Sequence, residues 1–339
     1  MSSSSVFVFG DVHDFQAALS TEARADLVLT RGGPFYARLE RVGLPQIAIW
    51  RVEETLPRIA FIHNQEDKVL IFLPDPGGSR VVWAGLELGT NHMISVGPRE
   101  CLHAHTSGPC RWNAIWFPAA ALARYGRSVL GTDTPIPNGI CRWEVPPTLI
   151  RELRLLTRSA TNSITRHPQP LTGNEAMHGL EQQIIHELMG CIVSAARDTG
   201  SSSWRRSHQT MVRLERYLAD ALRRDLAVKD LCSVLGISDR RLRSDCATHL
   251  GVSFVPYTKL KRLQAVRQTL AAGLESDATV ADVAHQFGFH HPGRFAGFYR
   301  KLYGELPSVT ASRRVSGAEP KLRMPWRTSV RDRPARIDS

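Results

Sequence analysis

The chain has 339 residues, 42% of them hydrophobic and 22% charged, with a formal net charge of +11 at pH 7. This composition excludes collagen-like and low-complexity classes, and the length predicts two domains at about 100–200 residues each. No apolar run approaches the roughly 20 residues of a membrane-spanning helix, and MSSSSVFVFGDVHDF lacks the basic and apolar regions of a secretory leader, so a cytoplasmic protein with six reduced cysteines is expected.

FGDVHDF reads as a capped turn; Asp11, His13 and Asp14 are metal-ligand types there, but at a spacing common by chance. The first 145 residues otherwise read as strands. IAIWRVEE, PRIAFIH, KVLIFLP, RVVWAGLELG, HMISVG and RWNAIWFP are short, rich in β-branched and aromatic residues, and broken by Pro, Gly, Asn and Asp. Their spacing fits an antiparallel sandwich or barrel. PAAALARYGRSVLG, opened by Pro118 and closed by Gly131, is the first expected helix. Within this region GPRECLHAHT puts Gly97, His103 and His105 in a G-x5-H-x-H pattern. Alternate strand residues share a face, so the two rings have the start of a metal site. The carboxylate expected shortly afterwards is missing, and a surface or pocket role is favoured.

Beyond Pro146 the period changes. Leu149, Leu153 and Leu156 recur at helical spacing, then Met177, Leu180, Ile184, Leu188 and Cys191 form one stripe, fit for the strands or for a partner subunit. TGSSSWRRS (199–207) reads as a polar linker. Every segment from His208 to about Thr310 reads as helix, and the Arg- and Pro-rich 311–339 as a disordered basic tail.

The charge divides unequally. From Arg205 onward there are 25 Lys and Arg against 13 Asp and Glu; before it the counts are 18 and 19. A basic half of this kind suits a polyanion partner.

Two short-helix, turn, helix units lie in that half. In Leu226–Gly251, Val228, Leu231 and Leu235 give an amphipathic helix, Gly236 supplies the positive φ of a tight turn, and Ser238 has the chemistry of an N-cap. The following helix turns Leu242, Cys246 and Leu250 inward and leaves Arg240, Arg241, Arg243 and Ser244 outward near its start. In Thr279–Gly304, Val280, Val283 and Ala284 precede a turn at Gly288, and Pro292 opens the second helix. Phe295, Phe298 and Leu302 are its expected core, leaving Arg294, Arg300 and Lys301 for phosphate. A helix from about Phe254 to Ala272, roughly 28 Å long, joins the units. That length suits two recognition helices near successive major grooves, with Lys259, Lys261 and Arg262 between them.

On these motifs, and on GF…RF…FYRKLYGELPS at the end of the second unit, the segment 208–310 resembles the DNA-binding domain of the AraC/XylS family of transcription regulators. The strand-rich half resembles, less specifically, the family's cupin-like sensing and dimerisation domain. The resemblance implies an α+β multidomain chain: a cupin-like sandwich or barrel with helices over 1–198, a linker over 199–207, an all-α domain of two helix-turn-helix units over 208–310, and a tail over 311–339. It implies a regulator that binds double-stranded DNA on the bacterial nucleoid, with a small-molecule effector in the N-terminal domain, homodimerisation, RNA polymerase as partner for an activator, and no cofactor. Two readings stay open beside it: a metal-dependent cupin enzyme fused to a DNA-binding domain, and a ligand-independent regulator acting through a protein partner.

Two positions depart from the family. Cys246 stands where a large apolar residue is usual, and Asp245 where an apolar one is, so a looser core or an outward Asp245 is expected. In the second recognition helix Pro292, Gly293, Ala296 and Gly297 occupy the usual base-reading positions, leaving His290, His291 and Arg294. The first unit is therefore expected to read sequence and the second mainly to grip phosphate.

Overall fold

The computed structural model describes residues 4–21, 23–130, 139–166, 174–224, 227–274 and 278–313. The chain begins with β1 (Ser4–Phe9), α1 (Val12–Leu19), β2 (Arg24–Leu29), β3 (Ala37–Gly43), β4 (Ala48–Glu54), β5 (Arg58–His63) and β6 (Lys68–Pro74). It continues with β7 (Val81–Trp83), β8 (Leu86–Leu88), β9 (His92–Val96), β10 (Cys101–Thr106), β11 (Cys110–Pro118), α2 (Ala119–Leu130) and β12 (Ile140–Glu144). Then come α3 (Pro147–Arg166), α4 (Asn174–Ser194), β13 (Ala196–Asp198) and the helices α5 (Ser202–Ala221), α6 (Val228–Leu235), α7 (Asp239–Leu250), α8 (Phe254–Ala272), α9 (Val280–Gln286), α10 (Pro292–Tyr303) and α11 (Pro307–Arg313). The N-terminal part is β-rich and the C-terminal part helical.

The strands form an eight-stranded sheet, β1-β3-β4-β11-β6-β9-β12-β13, and a five-stranded sheet, β2-β5-β10-β7-β8. The near-continuous apolar run of β6 has a simple cause: both faces of its sheet are covered. Leu70 and Phe72 enter the core shared with the five-stranded sheet. Val69, Ile71 and Leu73 face the other way, into a core closed by Ile150 and Leu153 of α3 and by Ile184, Leu188 and Cys191 of α4. The α4 stripe is thus taken by the chain's own sheet.

Two expectations for this region change. FGDVHDF is the start of a helix: Asp11 accepts the His13 N–H at 2.8 Å and caps α1, which buries Phe15 and Leu19. Most of the expected linker is also helical. Ser201 caps α5 by accepting the Trp204 N–H at 3.1 Å, and Ser207 is buried. A serine-rich run is as good a helix start as a linker, and packing decides. Helix likewise continues to Arg313; the remainder of the expected tail lies outside the described residues.

The outer face of the five-stranded sheet carries the helical half. Val28 and Ile59 join the core of Met211, Leu214, Leu231 and Leu242. At the centre Glu215 of α5 is buried, with His103 Nε2 of β10 at 3.0 Å, Lys261 Nζ of α8 at 2.9 Å and the Tyr257 hydroxyl bonded to it. Lys261 also reaches Asp26 of β2 at 3.3 Å. Burial by itself raises the Glu215 pKa, but Lys261, His103 and Tyr257 outweigh it and hold it at about 2. Farther along α8, Arg267 pairs with Asp11 and with Glu305 at 2.9 Å. Glu215→Gln removes one charge of this buried set, and the loss expected for such a break is about 3–5 kcal/mol. Urea unfolding reads it; a loss below about 1 kcal/mol contradicts the assignment.

Histidines line the same docking surface. Burial lowers His105 and His208 to about 4 and His249 to about 3. Between about pH 6.5 and these values the unfolded chain binds more protons than the folded one. Their stabilisation is complete above pH 6.5 and falls as pH drops through that window. Glu215 adds its own loss only below its unfolded range near pH 4.3. The melting temperature is therefore expected to fall between pH 7 and 5, before carboxylates titrate, and to fall less in His249→Gln; equal slopes in the two proteins contradict this.

Candidate nucleic-acid interface

The first unit folds as its local sequence dictates. Gly236 adopts φ 67° and its N–H returns to Cys232 and Ser233, ending α6. Ser238 accepts the Arg241 N–H at 3.2 Å and starts α7. Leu231, Leu235, Leu242, Cys246 and Leu250 are buried between the two helices and their neighbours. In the second unit Thr279 and Asp282 form a reciprocal capping box on α9, Gly288 turns at φ 80°, and Pro292 occupies the first turn of α10.

The core stripe of α10 is Phe295, Tyr299 and Leu302, not the expected Phe295, Phe298 and Leu302. Positions three and four residues on are both near neighbours on a helix, and here the i+4 residue faces inward. Phe298 is 44% exposed, with Lys259 Nζ 2.9 Å from its ring centroid.

Arg240, Arg243 and Ser244 are exposed along α7. Arg240 carries no bond or ion pair among the described residues. Arg243 pairs with Asp239 at 2.6 Å, both well exposed, so the pair is weak and exchangeable. Arg241 is held more firmly. Its Nε donates to Asp245 at 2.8 and 2.9 Å, and the same carboxylate accepts the Ser207 hydroxyl at 2.6 Å. His249 Nε2 lies 3.0 Å from that hydroxyl. Asp245 therefore faces inward, against expectation: α5 supplies a hydroxyl partner that α7 alone does not reveal. Its i, i+4 spacing from Arg241 was the one sequence signal for the pair.

Along α8, Lys259, Arg262, His290, His291 and Arg294 converge on one groove of about 370 Å³ beside Phe298. Gly288 matters here, because a Cβ at that position would stand 3.0 Å from Arg262 Nη1. Arg262 is anchored by the carbonyls of Leu222 and Arg224 at 3.0 and 2.5 Å. Lys261 is not on this surface. It occupies the side of α8 that faces β2, and its ammonium is enclosed by Glu215 and Asp26, which corrects the expectation of a phosphate contact. Arg300 and Lys301 are exposed, but in the last turn of α10, away from His290 and His291. There the Lys301 carbonyl lies so close to Gly32 that any Cβ on that glycine would overlap it.

His103 and His105 do not form an open ligand pair. They share a strand face, as alternation requires, but His103 meets Glu215 and His105 lies against Gly251 at the end of α7. Inside the two-sheet part, Trp50, Trp83, Trp112 and Trp116 surround a space of only about 40 Å³. Arg58 and Glu54 form a buried bidentate pair beside it, at 2.7 and 2.6 Å.

Residues 231–313 match the family model described as a helix-turn-helix domain. The chain is 31% identical over 100 residues to "XylDLEGF operon transcriptional activator 2" of Pseudomonas putida, covering 30% of this chain and 64% of that protein. "XylDLEGF operon transcriptional activator 1" of the same organism is 31% identical over 102 residues, covering 30% of this chain and 31% of its own length. The chain therefore spans between about a third and two thirds of the curated relatives it matches. Among solved structures, the AraC-like transcriptional activator CuxR aligns at 15% identity and a TM-score of 0.39, over 76% of this chain and 94% of that one.

Asp245→Leu removes the acceptor of Ser207 and Arg241 while keeping a side chain of similar size. Leaving the buried Ser207 hydroxyl without this acceptor costs about 1–3 kcal/mol. Chemical denaturation is expected to show that loss, with the Ser207→Ala, Asp245→Leu pair losing less than the two single changes combined; simple additivity contradicts the shared network.

Proposed function

We propose that the chain is a transcription regulator of the AraC/XylS type and that it binds a specific operator in double-stranded DNA with α7 as the main reader. The observation that carries this reading is the convergence of Lys259, Arg262, His290, His291 and Arg294 on one groove along α8. It supports a phosphate grip between α8 and the start of α10, in addition to the contacts of α7. Arg240, exposed in the first turn of α7, reads a guanine; Arg241, steered by Asp245, contacts the neighbouring base or phosphate. Arg243, Ser244, Arg294, His290 and His291 assist, and Ser238 keeps the helix start in form.

In this reading residues 1–198 are a cupin-like sensing and dimerisation domain and 208–310 the DNA-binding domain of two helix-turn-helix units. The two halves meet through a discrete set of buried ion pairs, so their docking is a state that a small-molecule effector can bias. RNA polymerase is the partner where the regulator activates. The protein acts in the cytoplasm, on the nucleoid.

Binding to DNA from its own promoter region, followed across salt concentrations, tests the reading. Arg240→Ala is expected to lose about 1–3 kcal/mol of discrimination while keeping nonspecific affinity. Lys259→Ala is expected to weaken all sequences alike and to lower the salt slope by about one. Sequence-blind binding by the unmodified protein, with and without candidate metabolites, contradicts the proposal.

A further inference from the structure

We propose that the cleft between α5 and the start of β10 is a binding site for a small organic anion that joins an aromatic body to two negative charges. The cleft holds about 520 Å³, within the range of small-molecule sites and far above the space among the buried tryptophans. One wall comes from the N-terminal half, through Arg99 and Glu100. The other is a single face of α5, on which Arg205, His208, Arg213 and Arg216 follow at helical spacing. The opposite face of α5, with Met211, Leu214 and Leu218, is buried.

A solvated basic face explains exposed arginines, but not three further features. First, the charge is gathered in a concavity: four guanidinium groups line it against the one carboxylate of Glu100. Arg205 and Arg213 each make one bond to a neutral carbonyl, of Gly200 at 3.1 Å and Val234 at 3.2 Å. Arg99 pairs with Glu66 at 2.8 Å, but both are more than 70% exposed, so a ligand anion readily displaces that carboxylate. Second, His208 lines the cleft while only 8% exposed, so its ring is held in place by packing. Third, that ring stacks on Trp204, with centroids 5.6 Å apart and planes within 9°. Trp204 is fixed in place by its Nε1–H bond to the Ala84 carbonyl at 2.8 Å. The result is a cleft wall with fixed aromatic rings beside clustered guanidinium groups, which suits an aromatic dianion.

An occupant touches both halves of the chain at once, so it changes how firmly they dock. This consequence rests on the regulator reading; binding itself does not.

Calorimetric titration of the full chain at 150 mM salt, about the physiological ionic strength, tests the site with three probes. Phenyl phosphate carries body and charge, inorganic phosphate the charge alone, and benzyl alcohol the body alone. Phenyl phosphate is expected to bind at least about tenfold more tightly than either, a difference of about 1.4 kcal/mol. Arg213→Ala with Arg216→Ala is expected to weaken it at least tenfold while leaving the melting temperature unchanged, both residues being exposed. Lys259→Ala with Arg294→Ala, in the groove along α8, is expected to leave phenyl phosphate affinity unchanged. Equal affinity for phosphate and phenyl phosphate, or loss of binding in the α8 pair instead of the α5 pair, overturns the site. If phenyl phosphate binds as expected while promoter DNA binds without specificity, the site stands and the regulator reading falls. An operator affinity unmoved by saturating phenyl phosphate overturns the coupling between them.

Discussion

The Glu215 carboxylate is buried where β10, α5 and α8 meet, and donors from all sides converge on it. An ionised group in that position is tolerable only while every partner stays in place, because the low-dielectric surroundings offer no substitute. Apolar contact between a sheet and a helix layer tolerates sliding. A buried carboxylate matched to His103, Tyr257 and Lys261 does not. The docking of the helical half on the five-stranded sheet is therefore fixed in register, with Arg267 pinning the far end of α8 to Asp11.

Position then propagates through α8. One side of this helix, through Lys261, Gln264 and Arg267, meets the N-terminal half; its other residues pack against both recognition units. Whatever moves α8 relative to the sheet moves both helix-turn-helix units together. A second connection runs through α5. Trp204 is bonded to the Ala84 turn, Ser207 to Asp245, and Asp245 to Arg241 at the head of α7. The sheet is thus linked to a base-reading candidate by a short chain of contacts, of which the Ser207–Asp245 bond is buried. The cleft on the outer face of α5 lies directly over this connection.

Local chemistry was the legible part of the sequence. The bounds of α8, the Gly236 turn, the Ser238 cap and Pro292 in the first turn of α10 all follow from residues within a few positions of one another. What was not legible depended on distant partners. Lys261 and Lys259 look alike in sequence and stand two residues apart, yet one is enclosed by Asp26 and Glu215 and the other borders an open groove. Phe298 and Tyr299 compete for one inward position, and only packing against α8, α9 and α11 chooses. Asp245 needed Ser207, 38 residues away. The helix α1 escaped notice because its eight residues carry too short an amphipathic pattern to outweigh a turn reading.

The same partners change what the basic half offers a polyanion. Counted from sequence, the excess of cations after Arg205 looks like one large footprint. Lys261 and Arg267 are buried in ion pairs, Arg241 is matched by Asp245, and Arg262 is tied to two carbonyls. A cation already neutralised by a carboxylate releases few counterions from DNA, so formal charge overstates the electrostatic term. Among the described residues, the exposed cations include those at the start of α7, along the α8 groove, in the last turn of α10 and around the α5 cleft. The groove along α8 and the cleft beside α5 differ in lining, with His290 and His291 in one and Trp204 and His208 in the other. The basic character that one number records is thus spread over surfaces of different lining, and the buried Glu215 carboxylate fixes the docking of the helices that carry them.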